Sequence, residues 1–553
     1  MNLEDLSSKS SIIFDFFSWL YSDERIIDKN IELHSEFDIS LAPYYMDPNI
    51  YFPRQFNAFF NTRSMQRLGR ISQLSLVIDT FPNTYNNRLE HSKGAYNRKL
   101  EEYLYSFQNE SWKKYVEDNN LKLYIIGDLL KMAGHDIGHF PLSHAFEEEI
   151  YNSHEAHEEI GKRIMCEDEE IQSVYESISP DLSNVIRELY ERDVLNINNH
   201  NEGSYDVDRL DYLSRDTFYI GRPEKLLTQK YERTPIFVDE DGNIGENSDG
   251  SIVEDKTSNK FIDVYSSESL SEIEKLLRLR FSMYENCYMS TKTKTNECII
   301  GSFFDALLAN NSNVGIELKN FIINLKSQDI SNADLSDFKN WDDIRLFTVL
   351  LDIAENHEDK NIRDLATMVI PTMDSLLNML YSHFNIHSKK DFSKDDMNLL
   401  RKIKALIKSN SELARNLRNN NFISENTLVN KGDSLLPNSK FISTFSYVLK
   451  AYKTKEPIYI KSKDGKIYEL SKHPNRECDW QNKRTLIQAQ YAYIPYLRLC
   501  GMSAEDINQI ELLFKNNSKG NCSNTHDSSK LSPRVNMQQL QVGHKMEDVF
   551  LEL

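Results

Sequence analysis

Apolar positions recur at helical spacing along most of the chain. In "LKLYIIGDLLKMAGHD" they fall at 121, 123, 125, 126, 129, 130 and 132, which predicts a helix with a broad buried face that continues to about Asp136. The same period runs from Leu270 to Met289 in "SLSEIEKLLRLRFSMYENCYMS", with serines placed to cap its start. Strand signals are few. "PIFVDEDGNIGENSDGSIVEDKTSNKF" (235–261) alternates weakly around Asp-Gly turns and predicts an exposed hairpin inserted between helices. "EPIYIKSKDGKIYEL" (456–470) predicts a clearer hairpin, turned at "KDGK". The expected fold class is therefore mainly α with small β-hairpin insertions.

Breaks in the pattern suggest an organisation. A helical segment over 1–45 precedes a core over 46–310. A polar, broken stretch from about 310 to 340 opens a mostly helical region, 311–515, with helical text to about 430, then the second hairpin, then more helix. Residues 516–553 read as a flexible tail, polar and nearly without aromatics. No internal repeat is visible.

Composition narrows the function classes. With 40% hydrophobic and 11% aromatic residues in 553 positions, the chain is globular and not disordered. No run approaches the roughly 18 apolar residues of a membrane-spanning helix, and the acidic N-terminus does not fit a secretory signal. Six scattered cysteines without a CxxC pair argue against a disulfide framework or a cysteine zinc site, and the expected location is cytoplasmic. The formal charge of −20 repels nucleic acid. A polyanionic substrate must then enter a locally basic site, which leaves small nucleotides open.

Candidate chemistry concentrates in "AGHDIGHFPLSHAF" (133–146), where His135 and Asp136 offer an imidazole and a carboxylate side by side. Such donors suit divalent Mn, Fe, Co or Zn, but two ligands do not make a catalytic site, which needs three or more. "NNRLEHSKG" supplies His91 upstream and "YDVDRLDYLSRD" (205–216) supplies aspartates downstream. His91, His135, Asp136 and one of those aspartates would complete a two-His, two-Asp set. Alone, each of these residues reads as an ordinary cap, core residue or helix salt bridge; the three segments in order, with their flanks, change that balance.

The series "QRLGRISQLSLVIDTFPNTYNNRLEHSKG", "AGHDIGHFPLSHAF", "HEEIGKRI" and "YDVDRLDYLSRDTFYIG" resembles the HD-domain deoxynucleoside triphosphate triphosphohydrolases. That group includes the mammalian SAM-and-HD-domain restriction factor and bacterial dGTPases. The match covers about 50 to 310 and fades beyond. It implies a helical HD-domain core and metal-dependent hydrolysis of a dNTP to deoxynucleoside and inorganic triphosphate, a role that would control or deplete the dNTP pool, for example in antiphage defence.

By the same resemblance, His91, His135, Asp136 and Asp208 are metal ligands for Mn, Fe, Mg, Co or Zn, and His144, Glu147, His157 and Arg88 are catalytic. His154, three residues before His157, makes the latter's placement less firm. Arg88, His139, Arg209, Tyr212 and Arg280 hold triphosphate or line the site. Gln73 and Asp216 take the sugar 3′-hydroxyl, Leu74 packs where a 2′-hydroxyl would sit, and Tyr288 lies beside the base. The chemistry is coherent, since arginine and tyrosine donors suit a triphosphate and histidine suits proton transfer to the leaving oxygen.

The resemblance also implies a homo-oligomer, dimer to hexamer, with a regulatory nucleotide. Two departures set that nucleotide apart from guanine. Ser290-Thr291 replace a family His-Lys pair, and Asn61 and Gly69 replace an acidic residue and an arginine, although Gln66 is retained. Other readings are an HD phosphohydrolase acting on a nucleotide monophosphate, alarmone or cyclic dinucleotide, and a nucleotide sensor with little catalysis. Gln73, Leu74 and Asp216 favour the dNTP, and all four ligand residues favour an enzyme.

Overall fold

The computed structural model describes residues 11–20, 33–37, 49–81, 84, 86–107, 110–151, 156–192, 206–224, 226, 233–238, 245–253, 260–327, 330–369, 381–388, 442–450, 457–477 and 484–492. Helices dominate. The chain enters through α1 (Ser11–Leu20), β1 (Leu33–Phe37) and β2 (Asn49–Pro53), then α2 (Arg54–Phe60) and α3 (Arg63–Leu68). The core helices follow as α4 (Arg88–Ser106), α5 (Glu110–Asp118), α6 (Lys122–Ala133), α7 (His144–Tyr151), α8 (Ala156–Glu167), α9 (Glu169–Ile178), α10 (Leu182–Glu191) and α11 (Val207–Tyr219). Strands β3 (Arg233–Val238), β4 (Gly245–Glu246), β5 (Ile252–Val253) and β6 (Lys260–Tyr265) lead to α12 (Leu270–Met283) and a π-helical turn at Tyr284–Tyr288. Next come α13 (Thr291–Ala309), α14 (Ile316–Ser327), α15 (Asp343–Asn356) and α16 (Lys360–Val369). The last described elements are β7 (Tyr381–Ser388), β8 (Ile442–Lys450), β9 (Tyr459–Lys461), β10 (Ile467–Glu469) and β11 (Arg484–Ala492).

The apolar stripe predicted on α6 is buried as expected: Ile125, Ile126, Leu129 and Leu130 are fully enclosed. They join one continuous hydrophobic cluster with Phe56, Phe59, Tyr96, Phe140, Phe146, Ile160 and Tyr175. That cluster continues through Phe303, Phe321, Trp341 and Leu350 to Val369. A smaller cluster around Leu74, Leu210, Leu213, Leu276, Leu277 and Cys287 packs α11 against α12 and reaches Ile458 and Ile460. The site described below lies between these two bodies of apolar packing.

Three sequence expectations change. Helix α6 stops at Ala133, capped at Gly134, instead of running to Asp136. The 235–261 stretch holds the expected antiparallel pairing, β3 with β6 and, within it, the exposed β4 with β5, but it does not stand alone. β6 also pairs in parallel with β9, so both predicted hairpin regions merge in a sheet ordered β10-β9-β6-β3. Its Ile236, Ile262 and Val264 are buried, because a strand pairing with a distant partner hides a face that local alternation shows as open. Strands β7 and β11, in a sheet ordered β7-β11-β8, lie where helix was expected, and β1 likewise interrupts the N-terminal helical reading. The predicted tail at 516–553 lies outside the described residues. Among the described residues no helix is long and apolar enough to cross a membrane.

Candidate metal centre and its surroundings

Three elements deliver the predicted ligands. Helix α4 begins at Arg88 and carries His91 in its first turn. After α6 the chain makes successive tight turns, with Ile137 N–H donating to Gly134 O and His139 N–H to Asp136 O, and these bring His135 and the buried Asp136 to one side. Asp206 caps α11 by accepting from the Arg209 N–H, a bond worth about 1 kcal/mol at a helix start. From that start, Asp208, Asp211 and Arg215 follow at helical spacing on one face.

The four side chains converge. His91 Nε2 lies 2.8 Å from Asp208 Oδ1, 3.1 Å from His135 Nε2 and 3.7 Å from Asp136 Oδ2. His135 Nε2 stands 3.4 Å from both Asp136 Oδ1 and Asp208 Oδ1. Each imidazole is turned by a bond on its other nitrogen: His91 Nδ1 donates to Asp211 Oδ2 at 2.9 Å and His135 Nδ1 to Met132 O at 2.7 Å. In the neutral rings both Nε2 lone pairs therefore face the same point, beside two carboxylates. Burial disfavours a charged His91, yet Asp208, Asp211 and Asp136 outweigh it and push its pKa up to about 10. The same carboxylates raise His135 against burial. The field at this point favours positive charge, and two imidazoles with two carboxylates suit a divalent first-row cation.

Asp211 is one of the aspartates of 205–216 to which the resemblance assigns no role. It is fully buried and receives both Nε and Nη2 of Arg215, each at 3.0 Å, as well as His91. Gly94 makes room for it, because a Cβ there would sit 2.1 Å from Asp211 Oδ1. A second acidic residue one helical turn after Asp208 was the available clue. Asp211→Asn is expected to weaken Mn²⁺ affinity by about 10–100-fold, the usual cost of losing the group that orients a histidine ligand. Calorimetric titration returning wild-type affinity would count against this role.

Beside the centre, Arg88 Nη1 binds Asp136 Oδ2 at 2.7 Å and its Nε reaches Ser143 Oγ at 3.2 Å. Burial alone would raise the Asp136 pKa, but Arg88, His135 and His139 hold it well below the carboxylate range. His139 Nε2 lies 3.2 Å from Asp136 Oδ1, and its ring stacks on His157 with centroids 4.0 Å apart. Glu147, at 0% exposure, accepts from His144 Nδ1 at 3.0 Å, from His157 Nδ1 at 3.0 Å and from the His157 N–H at 2.7 Å. The structure thus brings His139, His144, Glu147 and His157 together. His154 lies outside the described residues.

The remaining predicted residues fall into two groups. Asp216 Oδ2 accepts from Tyr288 OH at 2.8 Å and Oδ1 from Asn86 Nδ2 at 3.0 Å. Burial raises Asp216 to about 6, against the opposing pull of those bonds. The Gln73 N–H donates to Asn86 O, and Leu74 is buried in the smaller cluster with Tyr212 and Tyr288 against it. Asn86, which no pattern in the sequence singles out, connects the two halves of this group. In the other group, Arg209 pairs with Asp206 at 3.6 Å and Arg280 stacks over Tyr284 at 5.0 Å. Tyr212 bridges toward the centre, its ring 6.3 Å from His91. Ser290, one of the departures, caps α13 by accepting from the Thr293 N–H.

Backbone strain gathers in the loop between α6 and α7. Leu142 and Ser143 have φ of +57° and +52°, a left-handed geometry that costs non-glycine residues roughly 1–2 kcal/mol each. Neighbours hold it. Ser75 Oγ donates to Leu142 O at 2.8 Å, and Ser143 Oγ to Ser72 O at 3.0 Å.

No family model matches the chain. It is 34% identical over 167 residues to protein YwfO of Bacillus subtilis, covering 29% of this chain and 35% of that one. It is 26% identical over 266 residues to an HD domain-containing protein of Acanthamoeba polyphaga mimivirus, covering 44% and 52% of the two chains. A Dictyostelium discoideum protein named deoxynucleoside triphosphate triphosphohydrolase SAMHD1 homolog is 29% identical over 182 residues, 30% of this chain and 33% of that one. The chain spans about half or less of the length of these three relatives. Its fold is shared with a crystal structure of a phosphohydrolase from Bacteroides thetaiotaomicron, with TM-score 0.53 and 19% identity over 83% of this chain and 100% of that one. The shared fold is mainly helical, and within it His91, His135 and Asp208 stand close enough together to ligate one metal ion.

Proposed function

We propose that the chain hydrolyses deoxynucleoside triphosphates to deoxynucleoside and inorganic triphosphate, with residues 46–310 as its catalytic core. The grouping of His91, His135 and Asp208, with Asp136 3.4 Å from His135, beside the Gln73–Asn86–Asp216–Tyr288 group carries this reading. These four would hold the divalent metal. When bound, it supplies Lewis acidity to a phosphoryl oxygen and lowers the pKa of water toward neutrality.

The chain's own residues do the rest. Arg88, Arg209 and Arg280 offer the cationic donors that a triphosphate needs on an otherwise acidic protein. His144 donates a hydrogen bond from its Nδ1–H to Glu147, which turns Nε2 toward the reacting groups; Nε2 takes up a proton from the attacking water and passes it to the leaving oxygen. Asp216 and Gln73 recognise the 3′-hydroxyl and Tyr288 lies along the base. The proposal includes a cytoplasmic homo-oligomer regulated by a nucleotide other than guanine, since Asn61 and Gly69 bring no charge to pair with a guanine edge.

Incubating the purified chain with each dNTP and Mn²⁺ or Mg²⁺, then separating products by anion exchange, tests the reaction. Release of triphosphate supports it; release of pyrophosphate or single phosphates removes it. Leu74 sets a further expectation. A buried 2′-hydroxyl without a partner costs about 1–3 kcal/mol, so dGTP should turn over faster than GTP by roughly 5- to 150-fold. Equal rates for the two would remove Leu74 from the sugar site.

A further inference from the structure

The loop between α6 and α7 is gripped by residues far away in the chain. Asp343, at the start of α15, accepts from the Leu142 N–H through Oδ1 at 2.7 Å and from the Ser72 N–H through Oδ2 at 2.9 Å. These two amides belong to different segments. Leu142 lies two residues before His144, and Ser72 lies one before Gln73. Arg67, 1% exposed, holds the other end of the loop: its guanidinium donates to Ile137 O at 3.3 Å and to His139 O, while its Nε donates to Trp341 O at 2.6 Å. Arg70 Nε binds Asp342 Oδ2 at 2.5 Å and fastens the same junction, and the Asp343 N–H donates to Arg70 O.

A buried carboxylate and guanidinium are costly to desolvate unless their hydrogen bonds are filled. Here their acceptors and donors fix the backbone on both sides of His139, where Leu142 and Ser143 take left-handed geometry. We propose that Asp343 is a positioning residue: it locks the 137–143 loop and the 72–74 segment in one relative arrangement, so that His139, His144 and Gln73 act together. The proposal rests on the phosphohydrolase reading of the centre.

The test compares the full chain with D343A, D343N and, as a control on the exposed face of the same helix, I344A. For D343A, hydrogen exchange of the Leu142 and Ser72 amides should speed up by at least about tenfold, since each loses a charged acceptor. Hydrolysis of the best dNTP should lose about 100-fold in kcat, while KM moves by no more than about threefold, as misplacement of reacting groups predicts. D343N keeps one carbonyl acceptor and should lie between, and I344A should match wild type. If D343A fails to melt cooperatively, D343N decides by the same two readouts. Unchanged exchange at both amides, or a loss confined to KM, overturns the proposal. If the wild-type chain cleaves no nucleotide, the reading of the centre fails and positioning for catalysis falls with it; the clamp as a structural device is then judged on exchange alone.

Discussion

Replacing His135 and Asp136 together with alanine should leave the protein without stoichiometric metal and lower hydrolysis by at least about 1,000-fold, because a Lewis-acid centre contributes several kcal/mol to such a transition state. The remaining donors, His91 and Asp208, lie 2.8 Å apart and would form a simple ion pair, too few to hold a divalent cation against water. His135 is part-exposed and Ile137 and Phe140 stay enclosed, but loss of Asp136 leaves the buried Arg88 without its partner, which should cost about 3–5 kcal/mol of stability. Elemental analysis after dialysis and thermal melting separate the two effects. Full metal occupancy in a well-folded double variant would falsify the assignment of the centre.

Gly138→Ala should be nearly as damaging, through the backbone. A Cβ at 138 would lie 2.1 Å from His157 O and 2.4 Å from Gly161 N. Both are main-chain atoms of α8, so no side chain can swing aside. Either the loop carrying His135, Asp136 and His139 shifts or α8 does, and the His139–His157 stack and the Glu147 bonds shift with them. Overpacking of this kind costs about 3 kcal/mol at the upper end of its usual range, and misplacing reacting groups by about 1 Å costs on the order of 100-fold in rate. Denaturant unfolding and steady-state kinetics on the same preparation check both. Wild-type stability with wild-type kcat would show that α8 and the loop can part without consequence.

Much of the site was legible beforehand because its chemistry is carried by short segments whose residue types are dictated locally. Imidazoles and carboxylates are recognisable as metal donors in any fold, and His91, His135, Asp136 and Asp208 stand in short motifs that display them. His144 and Glu147 could be paired in advance because i and i+3 share a helical face, and α7 places them 3.0 Å apart. His157 had no such local support. Its place was decided when α8 packed its first turn against the same Glu147 carboxylate.

Helical periodicity by itself determined the mainly α architecture and the buried face of α6, because each is a property of consecutive residues; the ligand segments were marked by their residue types and by the resemblance. Only the tertiary structure decided how β6 and β9 unite two distant hairpin regions in one sheet, and which aspartate orients His91. It also decided that Arg67 and Asp343, 276 positions apart (343 − 67), clamp opposite ends of one loop. The physical reason is common to all three. A backbone amide, a strand edge and a buried carboxylate are satisfied by whichever partner the fold brings within about 3 Å, and no period along the chain records that partner.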